Sequence, residues 1–177
     1  MSKSLSSPAV RTEQVLLIVF ADLTRYMAGS RGTPDAALAD LMDAYYCFAE
    51  SQVARTGGRL VKFMGDAFLA VWPEAEAAAA AGSLASVKQN IDSWWASNAW
   101  ESRLVVKAHL GRVVAGPFGA EGRFDVIGNE VNIAATLPAR TIAISPEVFR
   151  CLGEAERKAW KKHTPQVVYI PGEDPRP

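Results

Sequence analysis

The apolar residues of this chain cluster in patterns that alternate between two periods. Residues 15–21 (VLLIVFA) form an unbroken β-branched and aromatic run with no polar alternation, which predicts a strand buried on both faces. Residues 1–13 before it are polar and serine-rich and read as a flexible tail. A loop is expected over residues 28–32. Thr33-Pro34-Asp35 then predicts a helix start, with Thr33 as cap and Pro34 in the first turn. Leu38, Leu41, Met42, Tyr45, Phe48, Gln52 and Val53 share one helical face, and Gly57-Gly58 ends that helix.

Residues 59–63 and 67–72 are short apolar runs around Met64-Gly65-Asp66, a hairpin signal. The alanine run 77–81 opens a second amphipathic helix through Leu84, Val87, Ile91 and Trp94 or Trp95. Residues 103–110 and 113–115 read as a strand pair turning at Gly111, and 124–127 as a short strand. Residues 129–137 read as a short helix. Strands are expected at 142–145 and 166–170, with helices at 146–151 and 154–161. Hairpins interrupting the strand–helix alternation favour an α+β sandwich over a doubly wound sheet.

Composition narrows the class. The chain has 177 residues, 49% of them hydrophobic, enough for one domain with a real core. Lys plus Arg and Asp plus Glu each number 19, so charge gives no reason to expect nucleic acid or a membrane surface as partner. Two isolated cysteines, Cys47 and Cys151, make neither a metal cluster nor a disulfide framework and are expected to be buried small hydrophobes. No apolar run is long enough to span a bilayer and no signal-peptide core opens the chain, which predicts a cytoplasmic protein.

Two acidic residues stand out. Asp22 closes the first strand and Asp66 sits on the hairpin tip. If the hairpin pairs beside that strand, the carboxylates converge and suit Mg²⁺, a hard ion that takes carboxylate and phosphate oxygens together. An ordinary turn residue and a helix cap remain the plain alternatives. The backbone of residues 23–27 is placed to cradle phosphates.

Four blocks then stand in order: FADLTRY (20–26), GGRLVKFMGDAFLAVW (57–72), HLGRVVAGPFG (109–119) and FDVIGNEVNIAA (124–135). Together they resemble the class III adenylate/guanylate cyclase catalytic domain over residues 14–177. The resemblance implies a ferredoxin-like cyclase fold with a mainly antiparallel sheet flanked by helices. It implies conversion of ATP to cyclic AMP and pyrophosphate at a homodimer interface, with two Mg²⁺ or Mn²⁺ ions per site held by Asp22, Asp66 and the Leu23 carbonyl. Lys62 and Asp125 match the purine-reading pair, Arg112 a phosphate-binding arginine and Asn132 the ribose-positioning asparagine. Leu23, Thr24, Arg25 and Tyr26 match the substrate-binding loop. One protomer would give Asp22, Asp66 and Arg112, and its partner Lys62, Asp125 and Asn132.

A Lys–Asp pair suits adenine, because lysine donates to N1 and a carboxylate accepts from the exocyclic amine. The chain also departs from the family. Thr136 stands where an arginine stabilises the transition state, and Arg25 where a glycine is usual. The segment after Thr136 is short, and only Lys161 or Lys162 approximates a late family lysine. A catalytically silent cyclase-homology module for sensing or dimerisation is the rival reading. His109 reads as a structural histidine, and Trp94, Trp95 and Trp100 as core or dimer packing.

Overall fold

A computed structural model describes residues 10–164 and 166–173. Its elements run β1 (Thr12–Thr24), α1 (Tyr26–Ser30), α2 (Asp35–Arg55), β2 (Arg59–Met64), β3 (Ala67–Pro73), α3 (Ala77–Ser97), β4 (Arg103–Phe118), β5 (Arg123–Ile127), α4 (Asn129–Thr136), β6 (Ile142–Ile144), α5 (Pro146–Cys151), α6 (Glu154–Arg157), β7 (Trp160–His163) and β8 (Val168–Pro171). The strands form one sheet in the order β2-β3-β1-β4-β6-β8-β7, with β5 paired to β4. Among the described residues only β4 and β6 run parallel; every other pairing there is antiparallel. The α+β expectation holds.

β1 is central because its residues alternate between two cores. Leu17, Val19, Ala21 and Leu23 pack under α2 and α3 with Tyr45, Trp72 and Trp95. Leu16 and Ile18 face the other side, where Val113, Val126 and Ala134 of β4, β5 and α4 cover them. The alanine run lets α3 lie close to the sheet, with Ala77, Ala80 and Ala81 at most 1% exposed. Asp92 fastens that helix to the start of β4: Oδ1 accepts from the Leu104 N–H at 2.7 Å and Oδ2 from Lys88 at 2.6 Å. The tryptophans are core. Trp95 is fully buried, Trp94 stacks on Phe48 and Trp100 lies against Trp95 and Tyr26.

Several expectations are corrected. β1 starts at Thr12, so the end of the expected tail is sheet; residues 1–9 lie outside the described residues. β4 is one continuous strand through Gly111, not a turning pair. A short helix occupies part of the expected loop 28–32. The cap of α2 is Pro34 rather than Thr33, whose hydroxyl bonds the Gly29 carbonyl instead. Residues 160 and 161 belong to β7, not to a helix. Both cysteines are exposed. On α2 the buried positions are Met42, Tyr45, Ala49, Gln52 and Val53, and Cys47 falls on the opposite side of the helix from Tyr45.

Candidate active site

The first carboxylate is fixed by the sheet. β1 pairs with β4 without a register break from Thr12 to Thr24, setting Asp22 against Val105. On its other side the β3 register ends with Ala21 against Phe68. That places Ala67, the neighbour of Asp66, beside Asp22. Gly65 takes a φ of +68°, the left-handed geometry a tight hairpin needs at its first turn position. Burial raises the Asp66 carboxyl above its ordinary value, its own backbone N–H opposes this, and the Asp22 charge raises it further. The two carboxylates therefore feel one another, which is the arrangement a cation relieves. Among the described residues no group of three or more His, Cys, Asp or Glu gathers, so a metal here would rest on this pair and on backbone or substrate oxygens.

The loop after Asp22 is strained and tied. Arg25 sits at φ +59°, a left-handed conformation that costs a non-glycine residue about 1 kcal/mol. Its Nη1 meets Glu101 Oε2 at 2.7 Å on the surface. Thr24 Oγ1 donates to the Arg103 carbonyl at 3.2 Å, and Tyr26 stacks on Trp100 with centroids 5.8 Å apart. Leu23 turns its side chain into the core beneath α2 and α3.

The second cluster joins elements distant in sequence. Lys62 Nζ donates to Asp125 Oδ2 at 2.7 Å, while Asp125 Oδ1 accepts from the Val126 N–H at 2.8 Å. Arg59 lies over the Phe124 ring at 3.5 Å, pinning β5 against β2. The residues that follow Asp125 line a cavity of about 410 Å³: Val126, Ile127, Gly128, Asn129, Val131 and Asn132. Asn132 is exposed at its rim.

Arg112 is not brought to the carboxylates. It pairs with Val15, seven positions along β4 from Val105. Seven is odd, so on an unbroken strand its side chain leaves the opposite face, about 23 Å along the ladder. The resemblance fixes the residue type but not its face. Lys161 and Lys162 lie on β7, at the sheet edge opposite β2. Thr136 closes α4, its hydroxyl bonding the Asn132 and Ile133 carbonyls.

Sequence reasoning missed what seats α4. Gly111 has no side chain because Glu130 lies over it: a Cβ there would meet Glu130 Cγ at 2.5 Å and Cβ at 2.7 Å. Glu130 Oε2 meets His109 Nε2 at 2.5 Å, and His109 is only 3% exposed. Nδ1 of the same ring stands 3.5 Å from Glu147 Oε2 without a hydrogen bond. His109 is thus the structural histidine expected, and its partner Glu130 had no spacing signal to reveal it.

A model of the adenylate and guanylate cyclase catalytic domain matches residues 8–175. The chain belongs to that family. Among curated proteins the cyclase domain is 31% identical over 160 residues to uncharacterised proteins of Mycobacterium tuberculosis and Mycobacterium bovis, covering 81% of this chain and 28% of each relative. It therefore spans under a third of the length of those relatives. Among solved structures it resembles the adenylyl cyclase CyaB from P. aeruginosa, with a TM-score of 0.77, 19% identity and coverage of 94% of this chain and 98% of that one. It also resembles the guanylate cyclase domain of RhGC from Catenaria anguillulae in complex with GTP, with a TM-score of 0.72, 18% identity and coverage of 89% and 95%. Both likenesses establish the cyclase fold. No helix among the described residues is long and apolar enough to cross a membrane.

Proposed function

We propose that this cyclase domain converts ATP to 3′,5′-cyclic AMP and pyrophosphate, acting as a homodimer. The observation that carries the reading is the Lys62–Asp125 pair, whose partners stand 63 residues apart in sequence and meet at 2.7 Å, with a cavity lined by residues that follow Asp125 in the chain. Lysine offers only donors and an ionised carboxylate only acceptors. That combination complements adenine N1 and its exocyclic amine and mismatches guanine, which shows the reverse pattern at those edges. Asn132, on the rim of that cavity, would orient the ribose.

Asp22 and Asp66, with the Leu23 carbonyl, would hold two Mg²⁺ or Mn²⁺ ions. Such ions lower the pKa of an attacking 3′-hydroxyl and neutralise a leaving pyrophosphate. The chain's contribution would be to hold two carboxylates near the end of β1 while the partner protomer's base-reading pair holds the purine, so that the hydroxyl would lie in line with the α-phosphate. Thr24, Arg25 and Tyr26 would face the triphosphate. Arg112 is left out of the half-site containing Asp22 because it leaves the other face of the sheet. Exposed Met27, Met64, Ile127 and Ile133 lie beside these residues in sequence and supply apolar surface for a second copy.

One observation favours the silent-module reading. Thr136 supplies no cation at the end of α4, and its hydroxyl is spent on the helix's own carbonyls. The test is product analysis after incubation with ATP or GTP and Mg²⁺ or Mn²⁺, beside Asp22→Ala. Cyclic AMP lost in the variant supports the enzyme. Nucleotide binding with no product from either nucleotide supports the module, and cyclic GTP product alone overturns the base assignment.

A further inference from the structure

Asp66 rides on the tip of an edge hairpin, where β2 has a neighbour on one side only. Nothing in the ladder past Met64 and Ala67 holds the turn itself. Two consecutive tyrosines of α2 do. Tyr46 Oη donates to the Gly65 carbonyl at 2.8 Å, and Tyr45 Oη reaches the Asp66 carbonyl at 3.5 Å. The Tyr46 ring is itself fixed, stacked on Phe63 of β2 with centroids 3.8 Å apart and planes 17° apart. Tyr45 beneath is fully buried among Phe63, Trp94 and Trp95. Ring, helix and turn thus form a short brace between α2 and the residue before Asp66.

We infer that Tyr46 is a positioning residue for the Asp66 carboxylate, locking the hairpin tip at the spacing from Asp22 that a divalent cation needs. This rests on the proposed metal pair and adds to it a residue that touches neither ion nor nucleotide. The brace acts by pre-organisation. A turn carbonyl held by a rigid phenol fixes the peptide plane on which the Asp66 backbone begins, so the carboxylate does not have to be ordered when the ion arrives.

The test is Tyr46→Phe, which keeps the stack on Phe63 and removes the one hydroxyl. Mn²⁺ binding is read directly by the loss of the free-ion electron paramagnetic resonance signal, without nucleotide. Hydrogen exchange of the 64–67 amides is followed in the same samples, and ATP binding is measured in EDTA. We expect Mn²⁺ affinity to weaken about fivefold, the effect one neutral hydrogen bond supports. Exchange at the tip should quicken by a similar factor, with metal-free ATP binding unmoved. Unchanged Mn²⁺ affinity overturns the inference even if exchange quickens, because the brace would then be structural only. Should the unsubstituted domain take up no Mn²⁺, the carboxylate-pair reading fails first and this inference with it.

Discussion

Substituting Gly111 with alanine tests how α4 is seated on the sheet. The new Cβ would lie 2.5 Å from Glu130 Cγ and 2.7 Å from its Cβ. Ordinary carbon contacts are about 3.5–4.0 Å, so something must retreat by about 1 Å. Glu130 Cβ moves only with its helix, and β4 is locked by β1 along its length. The helix must therefore lift. Lifting breaks the 2.5 Å bond to His109, which is 3% exposed and has no other hydrogen bond at its ring among the described residues. It also loosens Val131 and Ala134 from Leu16 and Ile18. Overpacking costs about 1–3 kcal/mol and losing a hydrogen bond of this kind about 1.5–3, partly the same event, so roughly 2–4 kcal/mol is expected. For a domain of this size that lowers the melting temperature by roughly 5–15 °C. Calorimetry reads it directly. Gly82→Ala is the control: it lies within α3, and its nearest neighbour would be Glu156 Oε1 at 3.6 Å. It should raise stability by about 0.5–1 kcal/mol through helix propensity. A Gly111→Ala protein melting within a degree or two of the parent would refute the idea that Glu130 seats α4 against a bare β4 backbone.

Three further outcomes follow from the site. Lys62→Glu should lower the ratio of kcat/KM for ATP over GTP by about tenfold or more, since it presents acceptors to adenine N1; an unchanged ratio removes Lys62 from the base pocket. Thr136→Arg should raise kcat at saturating ATP by at least about tenfold, below the 10³ or more of a fully placed arginine finger; no gain means the missing cation does not limit turnover. Glu147→Gln should flatten acid sensitivity. Burial pushes the Glu147 carboxyl up, but its own backbone N–H, Ser145, Arg150 and the neighbouring His109 together bring it below its ordinary 4.5. A depressed carboxyl stabilises the fold above its unfolded value and loses that contribution as pH falls through the folded value. The parent's melting temperature should thus drop more steeply than the variant's below about pH 4.5, and parallel curves would contradict this.

What is legible in the sequence is what period and order encode. The buried run of β1, the amphipathic faces of α2 and α3 and the hairpin around Gly65 each carry a local signal. Lys62 and Asp125 emerge through family blocks rather than spacing, and only folding brings them into contact. The failures share a cause. Gly111 reads as a turn because glycine punctuates chains, yet here it is small so that Glu130 can lie against the sheet. Arg112 follows from block identity, and strand alternation sends it to the wrong face. Trp160–His163 lacks an apolar alternation and takes its strand character from pairing with β8. The Tyr46 brace depends on a contact between a helix and a turn, and no one-dimensional pattern records that.

The two acidic groups differ in stiffness. Asp22 belongs to a long strand paired to β4 throughout and to β3 up to the preceding residue, and it yields only if the sheet yields. Asp66 stands on a cantilever at the sheet margin, steadied by two phenols. For the ions proposed at this pair, adjustment to a larger or smaller radius would therefore fall on the hairpin, and metal preference would become a question of how far that cantilever bends.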